Sequence, residues 1–152
     1  MSADNTIVRR VTEGARAGWL QWMEPVEGTF LTLLGDIYSH PEGESRAVVE
    51  LEPRSSHLNR QGALHGGFLA SFADHAYFSA MAAIGRPAQA SAVTVDLSMQ
   101  YLSAGTIDEV LRAEVELLGE TGRLLFLRMT LKQGDRVVAA STATLRKAPE
   151  GR

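Results

Sequence analysis

The chain contains no cysteine. That removes disulfides, zinc–thiolate sites and thiol nucleophiles together, and leaves any chemistry to oxygen and nitrogen groups. An excess of one charge is missing too: 15 Lys and Arg stand against 18 Asp and Glu, so no global basic field draws nucleic acid or an anionic membrane. The opening Met-Ser-Ala-Asp-Asn-Thr-Ile-Val-Arg-Arg has no continuous apolar core of the signal-peptide kind, and a cytoplasmic location is expected. Gly-x-Ser-x-Gly, a P-loop, Gly-x-Gly-x-x-Gly and His-Glu-x-x-His are all absent, which argues against serine hydrolase, nucleotide-fold and zinc-protease chemistry. With 152 residues the chain suits one domain that buries roughly two-thirds of its unfolded surface.

What is present is organised around Asn59 to Ile84. From Leu64 to Ile84 there is no Lys, Arg or Glu, and apolar or small residues occupy nearly every position. A helix apolar all round belongs inside a protein, yet Asp74 lies in its middle, where an ionised carboxylate costs several kcal/mol or more unless it is paired or hydrogen-bonded. At the start of this helix, Gly66 and Gly67 carry no side chain to keep a ligand from the backbone, and the first turn offers unpaired N–H groups. Oxyanion donors near a carboxylate are the equipment for attack on an ester or thioester carbonyl.

On the N-terminal side, Ile7, Val11, Ala15, Trp19 and Trp22 recur at spacings of four, four, four and three, which predicts an amphipathic helix over Thr6 to Met23 that ends at Pro25. Phe30 to Leu34 reads as a turn of helix, and Asp36 to Ser39 with Arg46 to Glu52 as a hairpin. Beyond the central helix, stopped at Gly85-Arg86-Pro87, period-two alternation predicts strands at Val93 to Tyr101, Leu111 to Leu117, Leu124 to Leu131 and Val137 to Arg146, a four-stranded meander. In the first of these Val93, Val95, Leu97, Met99 and Tyr101 would share one face. The sum is an α+β protein, an antiparallel sheet wrapped around one long helix. Residues 1–24 are read as a helical extension, 25–147 as the domain and 148–152 as a tail.

Asn59-x-x-Gly62-x-x-His65-Gly66-Gly67, then Ala73-Asp74, then Val93-Thr94-Val95-Asp96 opening a strand that ends at Tyr101-Leu102-Ser103, resembles the hot-dog fold acyl-CoA thioesterases of the PaaI type over residues 20 to 147. The resemblance implies hydrolysis of an aryl- or medium-chain acyl-CoA to free acid and CoA. Asp74 would be nucleophile or general base, and the Gly66 N–H would hold the thioester oxygen. His65 and Asn59 would position the carbonyl and its loop, and Thr94 would orient the attacking water. Gly67, Phe68 and Phe78 are candidates to touch substrate. No metal and no cofactor is implied, because coenzyme A enters as part of the substrate; Arg54, Arg60, Arg86, Arg123 and Arg128 are candidates to meet its phosphates.

Helix geometry adds a partner. Gly66 and Asp74 are eight residues apart, about 12 Å along a helix axis. One carbonyl cannot meet both groups within roughly 3 Å unless the Gly66 turn bends away or the groups meet across a two-fold axis. A homodimer with composite sites is expected, and a homotetramer beyond it, with no nucleic acid and no membrane as partner. Plainer roles compete at each position: Asp74 as a capped structural acid, His65 as a core histidine, Thr94 as an ordinary strand residue, and His75 as structural or a subunit contact. Two other activities suit the same fold, a non-catalytic acyl-CoA-binding module and an enoyl-CoA hydratase or dehydratase.

Overall fold

The stretch without Lys, Arg or Glu folds as helix α1, Gly66–Ala83, in a computed structural model that describes residues 8–23, 27–86 and 91–149. Its N-terminus is capped by His65, whose Nδ1 accepts the Gly67 N–H at 2.8 Å and so satisfies one of the orphan donors of the first turn. Leu69, Phe72, Ala73, Ala76, Tyr77, Ala80 and Met81 are buried. The three alanines let the sheet lie close to the helix axis.

The sheet has eight strands: β1 (Val8–Arg10), β2 (Leu20–Trp22), β3 (Ile37–Pro41), β4 (Arg46–Leu51), β5 (Val93–Tyr101), β6 (Leu111–Glu120), β7 (Leu124–Gln133) and β8 (Arg136–Arg146). They run in the order β1-β2-β3-β4-β6-β7-β8-β5, and each neighbouring pair is antiparallel. Ala113 and Val115 of β6, Leu125 to Leu131 of β7 at alternate positions, and Ala139, Ala143 and Leu145 of β8 form the floor under α1. This is the α+β arrangement expected of a hot-dog fold.

Three expectations need correction. Over the described part of Thr6 to Met23 the chain makes the β1–β2 hairpin, not a helix. Gly14 and Gly18 take φ of 82° and 88° in its loop, a conformation a helix does not offer, and each would cost a helix about 1 kcal/mol. The edge of β3 meanwhile offers a ladder of unpaired backbone groups, which β2 takes up. Secondly, β5 to β8 are not a simple meander: β5 lies beside β8 at the far edge and β6 pairs with β4. The connection from Leu102 to Val110 is too long for a tight hairpin and long enough to carry the chain across the sheet. Thirdly, the even alternation of β5 is broken by a bulge between Thr94 and Asp96. Pro25, Pro87 and residues 150–152 of the tail lie outside the described residues.

Two buried polar groups tie these layers together. Tyr77 has no accessible surface, and its hydroxyl donates to Ser141 Oγ at 2.9 Å, from α1 to β8. Burial pushes the phenol up to about 12, so it stays neutral. His57, 4% exposed, pins the entry to α1. Its Nδ1 accepts the Arg54 N–H at 3.1 Å, so Nε2 carries the proton and donates to Leu33 O at 2.9 Å. The ring stacks on Phe68 at 3.9 Å. Burial holds this imidazole below its ordinary value; the Arg54 charge acts in the same direction and the bond to Leu33 O opposes both.

Tyr77→Phe is expected to cost about 1 kcal/mol, read from the midpoint of a urea melt, because it leaves the Ser141 hydroxyl buried without its partner. Adding Ser141→Ala should recover part of the loss. For His57 the folded value is the lower one, so the unfolded chain takes the proton first as pH falls. Its contribution is intact above about pH 6.5 and is lost as pH drops through the lowered folded value. Melts from about pH 8 to about pH 5 should show the midpoint falling on the acid side, and His57→Gln should flatten that fall.

Candidate active site

The bulge in β5 decides where Thr94 points. Leu145 and Ala143 of β8 face the helix, and their partners are Thr94 and Leu97. Three residues apart on a regular strand, those two would face opposite ways; the extra residue at the bulge turns Thr94 inward as well. Its Oγ1 donates to Asp74 Oδ1 at 2.6 Å. Among the described residues Oδ2 meets no donor. Asp74 is half-buried, on a strip of α1 (Gly67, Ala70, Ser71, Asp74, Phe78) that the sheet leaves partly open. The helix, apolar nearly all round, is therefore not covered all round within one chain.

Beside Asp74 is a recess of about 350 Å³ lined by Phe30, Leu31, Leu34, Ser71, His75 and Phe78. Its outer wall is the 3-10 turn Phe30–Leu33, whose carbonyls at Thr32 and Leu33 accept from the Arg54 guanidinium at 3.2 and 3.1 Å. Behind it, Trp22 of the N-terminal hairpin meets the His75 ring edge-on at 4.9 Å.

At the start of α1 the Gly67 N–H is spent on His65, whereas the Gly66 N–H meets no acceptor among the described residues. With Nδ1 accepting, His65 carries its proton on Nε2, a second donor at the same exposed end. Gly67 is the tighter of the two glycines: a Cβ there would stand 3.0 Å from His65 Nδ1 and make the ring give way, whereas one on Gly66 would meet the Tyr101 ring at 3.4 Å, close to ordinary contact. The Tyr101 hydroxyl donates to Gly66 O at 2.9 Å. Asn59 organises the preceding turn, its Oδ1 accepting from Gln61 N and Ala63 N at 2.9 and 3.1 Å. A cleft of about 550 Å³ opens here, lined by Leu58, Asn59, Arg60, Gln61, His65 and Gly66.

One chain thus brings together Asp74, Thr94 and Phe78 at one place and Asn59, His65, Gly66 and Gly67 at another. α1 runs unbroken through both Gly66 and Asp74, which leaves the two places about 12 Å apart along the axis. Phe68 is turned into the core against His57. Sequence reasoning missed the walls supplied by Phe30, Leu31 and Leu34; a short apolar run before a glycine reads equally as core. Among the described residues no three His, Asp or Glu side chains converge as metal ligands.

Comparison with known proteins bears on this arrangement. The sequence model described as the thioesterase superfamily matches residues 61–140. Acyl-coenzyme A thioesterase 13 of Homo sapiens is 28% identical over 117 residues, covering 76% of this chain and 82% of that protein. Among solved structures, the zebrafish thioesterase superfamily member 2 superposes with a TM-score of 0.70 at 24% identity, covering 80% of this chain and 88% of that one. A variant of the phenylacetic acid degradation protein PaaI of Thermus thermophilus superposes with a TM-score of 0.66 at 27% identity, covering 78% and 98%. A thioesterase protein of Streptococcus pneumoniae, solved with coenzyme A, has the same fold at a TM-score of 0.67 and 23% identity, covering 78% and 93%. With the superfamily match spanning more than half of its length, the chain belongs to the thioesterase superfamily.

Proposed function

We propose that this chain hydrolyses acyl-CoA thioesters to free acid and CoA. The observation that carries the reading is the Asp74 carboxylate, fixed by Thr94 at 2.6 Å and set beside an apolar recess. With Oδ1 occupied, Oδ2 is the oxygen left to act. It either attacks the thioester carbon, giving a mixed anhydride that water then cleaves, or takes a proton from the water that attacks. In both routes the carbonyl oxygen becomes an oxyanion on the Gly66 N–H, with the His65 Nε2–H beside it. The C–S bond breaks and the CoA thiolate leaves. The recess, walled by Phe30, Leu31, Leu34 and Phe78, suits an aryl or medium-chain acyl group, and neither metal nor bound cofactor is needed.

The separation of the two ends within one chain supports a composite site. β5 is an edge strand with Val95 59% and Tyr101 55% exposed, an open ladder of the kind a second strand covers. Antiparallel pairing of two β5 edges brings the Tyr101–Gly66 end of one copy to the Thr94–Asp74 end of the other. A homodimer is the working unit in this reading, and pairing of dimers would give the tetramer.

Thiol release from a panel of aryl and alkyl acyl-CoAs tests the chemistry. Asp74→Asn should keep the fold and lower kcat by about 10²- to 10⁴-fold. Thr94→Val should lower kcat with little change in KM, and Thr94→Ser should restore it, a rescue that a merely structural threonine would not give. Undiminished turnover in Asp74→Asn would overturn the assignment. In sedimentation the protein should run as a dimer or larger, and Val95→Lys, which places a charge on the edge, should give an inactive monomer; a fully active monomer would remove the composite site.

A further inference from the structure

We infer that Arg60 is a docking point for a phosphate group of the coenzyme A portion of the substrate. The identity of that ligand rests on the acyl-CoA reading above. Of the surface guanidinium groups, those of Arg16, Arg46, Arg86, Arg112, Arg128 and Arg136 lie 3.9 Å or less from a carboxylate. Arg9 and Arg10 are bonded to the Gln21 side chain and the Gly18 carbonyl, and Arg54 is spent on the carbonyls of Thr32 and Leu33. Arg60 meets no carboxylate and no carbonyl among the described residues, and it is exposed. Arg123 and Arg146 meet no carboxylate there either, but neither lines the cleft at Gly66, which Arg60 does.

An exposed arginine alone is ordinary; the place of this one is not. It stands on a turn whose backbone is fixed by Asn59 N–H to Ala63 O at 2.7 Å, by Gly62 N–H to Asn59 O at 3.1 Å and by the two bonds to Asn59 Oδ1. The turn is closed at its base by the Leu58–Leu64 bridge. A guanidinium carried on a pre-formed turn gives up less freedom on binding than one on a mobile loop. Its cleft opens directly onto the free Gly66 N–H, and no acidic residue lines it. Arg60 is the one Lys, Arg, Asp or Glu among the cleft's lining residues, although the chain as a whole is net acidic.

The reach fits as well. Arg60 and Gly66 each stand two residues from the Leu58–Leu64 bridge, on opposite sides of it. At the extended rise per residue the Arg60 and Gly66 Cα atoms stand at most about 15 Å apart, and the arginine side chain, turned toward or away from Gly66, can meet a phosphate at the end of a pantetheine arm of about that extended length. The planar fork of arginine matches two phosphate oxygens at once.

The test is calorimetric titration of the full chain with CoA, dephospho-CoA and pantetheine at low and high salt, for wild type, Arg60→Gln and Arg60→Lys. Arg60→Gln is expected to weaken CoA binding about tenfold at low salt, to flatten its salt dependence and to leave pantetheine binding unchanged, with Arg60→Lys intermediate. A penalty that vanishes with dephospho-CoA assigns the 3′-phosphate; one that persists assigns the diphosphate. Unchanged CoA affinity in Arg60→Gln, or an equal loss for pantetheine, would overturn the inference. Turnover separates it from the parent reading. Acyl-CoA hydrolysis with the same KM in wild type and Arg60→Gln rejects Arg60 and keeps the thioesterase. CoA binding that depends on Arg60, with no hydrolysis of any acyl-CoA, rejects the thioesterase and keeps the phosphate site.

Discussion

Burial of α1 is the constraint on which the structure depends. A helix of 18 residues whose only acidic side chain is Asp74 cannot lie on a surface, and each large side chain taken from water, such as Phe72 or Leu69, contributes roughly 1.5–3 kcal/mol. The sheet must therefore curl, and its small inward residues, Ala113, Ala139 and Ala143, make room for the helix to come close. A single sheet has two edges, however, and cannot close over every side of a rod. The strip left open runs from Gly67 to Phe78 along α1, and Asp74 is on it. The one carboxylate of the helix is thus placed where the sheet ends, which reconciles an apolar helix with an ionisable group.

What turns that exposed acid into an oriented one is a defect in the strand next to it. Without the bulge between Thr94 and Asp96, Thr94 would point away from α1 and Asp74 Oδ1 would face solvent. A bulge on an edge strand costs only a little ladder pairing, and it re-aims one side chain. At the other end of the helix small size matters at Gly67, which leaves space for the His65 ring to cap its N–H, while the Gly66 carbonyl takes the Tyr101 hydroxyl. The spent donor at Gly67 and the free one at Gly66 follow from the same two-residue step.

Much of this is legible in the sequence. The absence of Lys, Arg and Glu from Leu64 to Ile84 announces the helix, and strict alternation announces β6, β7 and β8. The spacing of Asn59, His65 and Gly66 marks the entry to the helix, and Asp74 its middle, where the fold brings Thr94 to meet it. The N-terminal hairpin is not legible in the same way, because apolar residues four apart satisfy a helix template, and only Gly14 and Gly18 speak against one. Nor is the placement of β5. Periodicity finds a strand but carries no information on its neighbour, and a bulge leaves no mark in a run as regular as Val93 to Tyr101.

Size of concavity is a poor guide to the site in this molecule, and the reason is electrostatic. A wider hollow of about 650 Å³ lies on the outer face of the sheet, among Arg46, Arg112, Glu114, Glu116 and Arg128. There Arg128 meets Glu116 at 2.7 Å, Arg112 meets Glu50 at 2.9 Å and Lys132 meets Glu114 at 2.9 Å. Beyond it Arg86 and Lys147, each at 2.6 Å, hold the Glu120 carboxyl down at about 2. Charges that neutralise one another hold a face together but have little left to offer a ligand, since recruiting one means first breaking its bond. The recess at Asp74 and the cleft at Gly66 are smaller, yet each keeps a polar group unspent: a carboxylate oxygen in one, and a backbone N–H beside an uncommitted arginine in the other. In the composite site proposed above, the carboxylate oxygen of one copy and the backbone N–H of the other would meet at one carbonyl, and the arginine beside that N–H is the group left over for a polyanionic leaving group.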